Sequence, residues 1–103
     1  MSIYFTVTGL VHHVGQSFIE PGMKVTLEKE PDNQFDKEAI VVKMDIFGKI
    51  GYVANSYNTI IGECYSAGRI YDKFSDTATG TVKYNVKPDD HGFPYGLVCE
   101  LNQ

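Results

Sequence analysis

The side chains able to do chemistry begin with His12, His13 and His91 and the two cysteines, Cys64 and Cys99. Tetrahedral zinc sites are organised by close pairs at C-x2–4-C or H-x3–5-H spacing, and none of these residues forms one. His12 and His13 are adjacent, and adjacent side chains of an extended strand point to opposite faces, so one ion cannot easily take both. No metal or other cofactor is expected. The cysteines belong to no CxxC motif, and the start of the chain lacks the basic and apolar regions of a signal peptide, so two buried free thiols are expected rather than a disulfide. Carboxylates crowd residues 28–38, as Glu28, Glu30, Asp32, Asp36 and Glu38. An EF-hand needs a Gly at its bend and a Glu at position twelve, and no such loop is present. Lys24, Lys29, Lys37 and Lys43 are interleaved with these acids, as on solvated strand faces. There is no GxSxG, HExxH or P-loop, so binding is expected rather than catalysis. The remaining enzymatic reading is a metal-dependent phosphodiesterase built on Asp32 and Asp36.

Strands must position these groups. Residues 3–10 mix β-branched and aromatic side chains that suit a pleated surface, and form strand one. After the Pro21-Gly22 turn signal, Met23, Val25 and Leu27 alternate with polar residues as strand two, about 23–30. Pro31 cannot donate to a ladder, and Asp32-Asn33-Gln34 favours a turn. Residues 39–43 resume as strand three, and 49–53 form a fourth strand in a hairpin with it. The period then changes: Tyr57, Ile60, Ile61 and Cys64 fall at i, i+3, i+4 and i+7, predicting a helix capped by Asn55 or Ser56 and ending near Gly68. Strand five covers 77–86 and strand six 96–101. Antiparallel strands with a lone helix between the fourth and fifth predict a mainly β fold. It is a small OB-like or SH3-like barrel of about six strands, whose closure hides edges that would otherwise aggregate.

The 103 residues are 43% hydrophobic and 21% charged, a globular composition of one domain's length spanning residues 1–103. Nine Lys/Arg against thirteen Asp/Glu give a net charge of −4, which argues against coating DNA through bulk positive charge but leaves room for a local site. No apolar run approaches the roughly 18 residues of a membrane span. A cytoplasmic protein with no membrane partner is expected.

The block Glu30-Pro31-Asp32-Asn33-Gln34-Phe35-Asp36-Lys37-Glu38-Ala39-Ile40-Val41-Val42, followed by Ile50-Gly51-Tyr52-Val53, resembles the HIRAN domain. That pattern has an acidic-Pro-x-Asn-x-aromatic-Asp-x-x-Ala-Ile block and then a Gly-aromatic pair in the next strand. The resemblance covers roughly residues 3–101, and its specific part lies in about 30–55. It implies a modified OB-like barrel that recognises single-stranded DNA ends, especially a free 3′-hydroxyl. Such domains occur beside the motors of helicase-like DNA translocases in repair at replication forks, and as short stand-alone bacterial proteins, the type this chain is similar to.

Residue by residue, the resemblance puts Phe35 under a base as a stacking face and makes Asp36 the acceptor for the terminal hydroxyl. Stacking on an aromatic contributes roughly 1–3 kcal/mol per base and tolerates any sequence. A carboxylate accepts from a 3′-hydroxyl and repels a 3′-phosphate. Asn33 would hydrogen-bond a base edge or brace its loop. Val11 stands where DNA-binding members carry Arg, and His12 and His13 stand at two Tyr positions. Ala54-Asn55-Ser56 stands near the helix start where the family can carry Lys, and Tyr84 falls where those members have Phe. The expected nucleic-acid-binding set is therefore Asn33, Phe35, Asp36, His12, His13, Asn55 and Tyr84. With an Arg and a Lys missing, binding is expected to be weak and to fall with salt. The competing reading is structural: Asp36 holds its turn through an Asx bond, Phe35 is core, and the barrel is a protein-interaction module that has lost DNA binding.

Overall fold

The computed structural model describes residues 2–9, 18–86 and 96–102. Its strands are β1 (Tyr4–Thr8), β2 (Lys24–Lys29), β3 (Ile40–Met44), β4 (Gly48–Val53), β5 (Thr77–Val86) and β6 (Gly96–Leu101), with a single turn of helix, α1 (Ala67–Ile70), between β4 and β5. They close an antiparallel barrel in the order β1-β4-β3-β2-β5-β6, with β6 pairing back onto β1. The expected class is therefore correct, and closure pairs both edges of every strand.

Alternation fills the interior. Phe5 and Val7 of β1, Val25 and Leu27 of β2, and Leu97, Cys99 and Leu101 of β6 all point inward and are buried. Fully burying a Val, Leu or Phe side chain contributes about 1.5–3 kcal/mol, so this lining is the main source of stability. In β5 the register shifts between Val82 and Tyr84. Val82 opposes the inward Cys99, whereas Tyr84 opposes Val98 and faces outward. The β1–β4 seam is tight at Gly51, where any Cβ would collide with the Thr8 carbonyl oxygen. That close approach is the physical reason for a glycine before Tyr52.

The helix lies elsewhere than its predicted position. Residues 57–64 contain two short turns, at 57–59 and 62–63, and α1 begins only after Ser66, whose Oγ accepts from the Arg69 N–H. Neither Asn55 nor Ser56 is the N-cap residue: Asn55 Oδ1 does accept from a first-turn N–H, that of Gly68, but from thirteen residues away, and Ser56 Oγ accepts from the Asn58 N–H in a local turn. β1 competes for this backbone. Ala54 N–H donates to the Thr6 carbonyl, Ile61 N–H to Thr6 Oγ1, and Tyr65 N–H to the Tyr4 carbonyl. Gly62 at φ 58 then breaks any right-handed helical path. The segment is thus sewn along the outside of β1, which also explains why Thr6 is fully buried with its hydroxyl satisfied.

Both cysteines are free. Cys99 is buried as expected, but Cys64 is only half-buried, because it sits in the turns of 62–64 rather than on an inward helix face. Among the described residues no helix is long and apolar enough to cross a membrane.

Candidate functional site

The turn between β2 and β3 is built around Asn33. Its Oδ1 accepts from the N–H groups of both Phe35 (2.9 Å) and Asp36 (3.0 Å), and its Nδ2 donates to Glu30 Oε1 at 3.0 Å. This is an Asx-type turn, in which a short side chain replaces a missing backbone partner. Its effect is to fix the backbone so that Phe35 is thrown outward, 95% exposed. The expectation that Phe35 is core is therefore overturned.

Asp36 follows in the same turn and is itself held. Its Oδ1 accepts from the Glu38 N–H at 2.9 Å and its Oδ2 from Asn55 Nδ2 at 2.9 Å. The Asx bond expected of a structural Asp36 is thus present. An ionised carboxylate offers about four lone-pair sites, so two hydrogen bonds orient the group without exhausting it. Asn55 uses every part of its amide: Nδ2 also reaches Glu38 Oε1 at 3.2 Å, and Oδ1 accepts from the Gly68 N–H at 2.9 Å. Gly68 matters here because a Cβ on it would lie 2.6 Å from Glu38 Oε1. The first turn of α1 is thereby tied to the β2–β3 turn through one carboxamide.

Glu30 and Tyr52 close the other side. Tyr52 donates its hydroxyl to Glu30 Oε1 at 3.0 Å, and Lys49 Nζ donates to the Tyr52 hydroxyl at 3.0 Å while lying 4.5 Å from the ring centroid. The Tyr52 hydroxyl holds the Lys49 ammonium above its ordinary pKa, with the charge of Glu30 acting in the same direction. The ion pairs among the described residues are Lys43–Glu28 and Lys83–Glu100. Neither involves Asp36 or Glu38; the cleft lining carries the Asp36 carboxylate, and the Lys49 ammonium stands beside it at the Tyr52 hydroxyl.

These residues surround a cleft of about 560 Å³, lined by Asn33, Phe35, Asp36, Ala39, Tyr52, Val53, Asn55, Ser56 and Thr59. That volume falls within the roughly 300–1,000 Å³ of small-ligand sites. Apolar walls from Ala39 and Val53, an exposed ring, and fixed amide and carboxylate groups suit a flat, polar-edged ligand. Among the described residues, no group of three or more His, Cys, Asp or Glu side chains is placed to hold a metal ion.

Of the residues expected at a binding site, Asn33, Phe35, Asp36 and Asn55 meet at this cleft. Tyr84 is exposed on β5 and lines a different hollow with Tyr4, Tyr65 and Val98. His12 and His13, like Val11, lie outside the described residues. Sequence reasoning missed Glu30 and Tyr52 as partners. The available signals were the three-residue spacing from Glu30 to Asn33 and the Tyr after the tight glycine, and the link between the two halves is made only by strand register, Val41 opposite Tyr52.

The HIRAN domain pattern matches residues 1–90. The crystal structure of the HIRAN domain of human HLTF is similar, with a TM-score of 0.58 and 21% identity over 97% of this chain and 74% of that one. A protein from Lactobacillus plantarum gives a TM-score of 0.58 and 23% identity over 100% of this chain and 98% of that one. No curated protein matches the chain. At these identities the solved structures speak to the barrel, while the sequence pattern spans most of the chain. The chain belongs to the HIRAN domain family.

Proposed function

We propose that this HIRAN domain is a DNA-binding module of residues 1–103 that takes the 3′ end of a single strand into the cleft between the β2–β3 turn and β4. Phe35 stacks on the terminal base, Asp36 accepts a hydrogen bond from the 3′-hydroxyl, and Asn33 and Asn55 keep both in place. His12 and His13 belong to the same reading as flanking contacts, and Tyr84, in its separate hollow, as one farther along the strand. The observation that carries it is the pairing of a ring 95% exposed with a neighbouring carboxylate fixed at both oxygens. An exposed aromatic alone is ordinary on a surface, but one held beside an oriented carboxylate at the mouth of a cleft is what a stacking site requires. The carboxylate reads an end rather than a sequence, since a terminal phosphate would meet the charges of Asp36 and Glu38. The domain binds and does not cut, and with so few cations at the site its affinity is modest and falls with salt.

Fluorescence anisotropy at low salt tests this with one single strand ending in 3′-hydroxyl, the same strand ending in 3′-phosphate, and a blunt duplex. The expected result is a preference for the hydroxyl end that disappears in Asp36→Ala. Equal binding of all three, or none, rejects end recognition and favours the protein-interaction reading.

A further inference from the structure

A second aromatic ring stands out into solvent beside the cleft. The wall facing the β2–β3 turn is the Ser56–Thr59 turn, which contributes Ser56 and Thr59 to the lining. Between them sits Tyr57, 95% exposed, as bare as Phe35. A scattered surface apolar residue is ordinary, but this one stands on the turn whose Ser56 and Thr59 wall the cleft, with its own ring on the adjoining hollow.

The turn is rigid. The Ser56 carbonyl accepts from the N–H groups of Thr59 (2.9 Å) and Ile60 (3.2 Å) and from Thr59 Oγ1 (3.1 Å), and Ile61 N–H is anchored on Thr6 Oγ1. Tyr57 is therefore presented from fixed backbone, so little ordering is lost when a partner covers its ring. On the far side of the same turn, a hollow of about 710 Å³ is lined by Tyr57, Asn58, Ser66 and Arg69 among others. The Arg69 guanidinium lies 4.0 Å from the Tyr65 ring centroid. It brings a fixed positive charge to that hollow, whose lining also includes the Glu63 carboxylate.

We propose that Tyr57 is a second stacking platform for single-stranded DNA: a strand whose 3′ end sits at Asp36 crosses the Ser56–Thr59 turn, lays an upstream base on Tyr57, and brings a backbone phosphate to Arg69. This rests on the end-binding reading above and extends it from one nucleotide to a path. The partner is a flexible single strand, because stacked bases of a duplex cannot be shared out between two separate rings.

The chain contains no Trp, so Tyr57→Trp in the full chain is a unique fluorescent reporter at the proposed contact. Titration with a thymidine oligonucleotide ending in 3′-hydroxyl is expected to quench it. Tyr57→Ala is expected to weaken that oligonucleotide about tenfold, within the range of one lost base stack, while the preference for hydroxyl over phosphate persists. Because Tyr57 is exposed, its variants keep the fold, which circular dichroism checks. A silent Trp together with unchanged affinity in Tyr57→Ala, while Phe35→Ala still weakens binding, overturns the Tyr57 platform and leaves end recognition standing. Quenching without any hydroxyl preference overturns end recognition and leaves the platform. No binding by the wild-type chain overturns both.

Discussion

The Asn55 carboxamide nitrogen sits between two carboxylates, 2.9 Å from Asp36 Oδ2 and 3.2 Å from Glu38 Oε1, with no cation paired to either among the described residues. One neutral donor thus holds two negative groups at the mouth of the cleft, and a hydrogen bond to a charged acceptor contributes about 1.5–3 kcal/mol. Asn55→Ala removes that donor and the acceptor for the Gly68 N–H. The expected loss is about 2–4 kcal/mol in urea denaturation, since two bonds to carboxylates and one to a backbone N–H go together, with a reduced ratio of 3′-hydroxyl to 3′-phosphate affinity as Asp36 loses its orientation. Asn55→Lys supplies a cation instead. It is expected to raise DNA affinity at low salt and to steepen the slope of log K against log salt by about one, at the expense of end selectivity.

Gly51 and Gly68 both lack room for a Cβ, but against different neighbours. At Gly51 the obstacle is the Thr8 carbonyl oxygen, a backbone atom in the β1–β4 seam that cannot turn aside. Gly51→Ala is expected to cost about 3 kcal/mol, read as a fall in Tm of more than about 10 °C. At Gly68 the obstacle is the end of the Glu38 side chain, which can rotate away. Alanine is also the better helix former by about 1 kcal/mol. Gly68→Ala is expected to leave Tm nearly unchanged while freeing Glu38 from Asn55, so thermal melts should separate the two variants clearly.

Asn33 is placed to be irreplaceable by its isostere. Its Oδ1 accepts from two N–H groups, a function Asp would keep, but its Nδ2 donates to Glu30 Oε1, a function Asp would replace with repulsion. Asn33→Asp therefore retains the turn and sets a second carboxylate against Glu30, which still holds Tyr52. The expected outcome is a loss of about 1–3 kcal/mol of stability at neutral pH, measured by denaturant unfolding. Tyr52→Phe, which leaves the Asn33–Glu30 bond in place, should cost less, about 1 kcal/mol.

The strands were legible because alternation at period two is a direct readout of one buried face. Val25 and Leu27, or Val82, could hardly point elsewhere. The helix was misplaced because the spacing of Tyr57, Ile60, Ile61 and Cys64 imitates a helical stripe. Nothing local in the sequence announces that Thr6 and Tyr4, 55 and 61 residues before their partners Ile61 and Tyr65, take the hydrogen bonds of that backbone. The cleft was legible in part. Asn33, Phe35, Asp36 and Asn55 stood out through the family pattern, but the Asn55–Asp36 and Tyr52–Glu30 bonds join segments that only barrel closure brings together. Phe35 illustrates the limit on the polar side: an apolar residue beside a strand reads as core until the Asx turn at Asn33 fixes it outward.

Cys99 and Cys64 should differ in reactivity because their surroundings differ. Burial inside the barrel pushes the Cys99 thiol from its ordinary value of 9.0 up to about 12, with the nearby Cys64 adding in the same direction, whereas Cys64 is only half-buried. At pH 8 a thiol-specific disulfide reagent is expected to modify Cys64 in the native chain, and Cys99 only after unfolding, since the thiolate is the reactive form. The same shift acts on stability. The unfolded chain loses the Cys99 proton near pH 9 while the folded chain keeps it to about pH 12, so between those values the native state binds more protons and stability falls as pH rises, by at most about 1.4 kcal/mol per pH unit. Below pH 9 the group contributes no slope. Cys99→Ala lowers stability at every pH through the cavity it leaves, but it should flatten the decline above pH 9 relative to wild type, which denaturant unfolding at a series of alkaline pH values would measure.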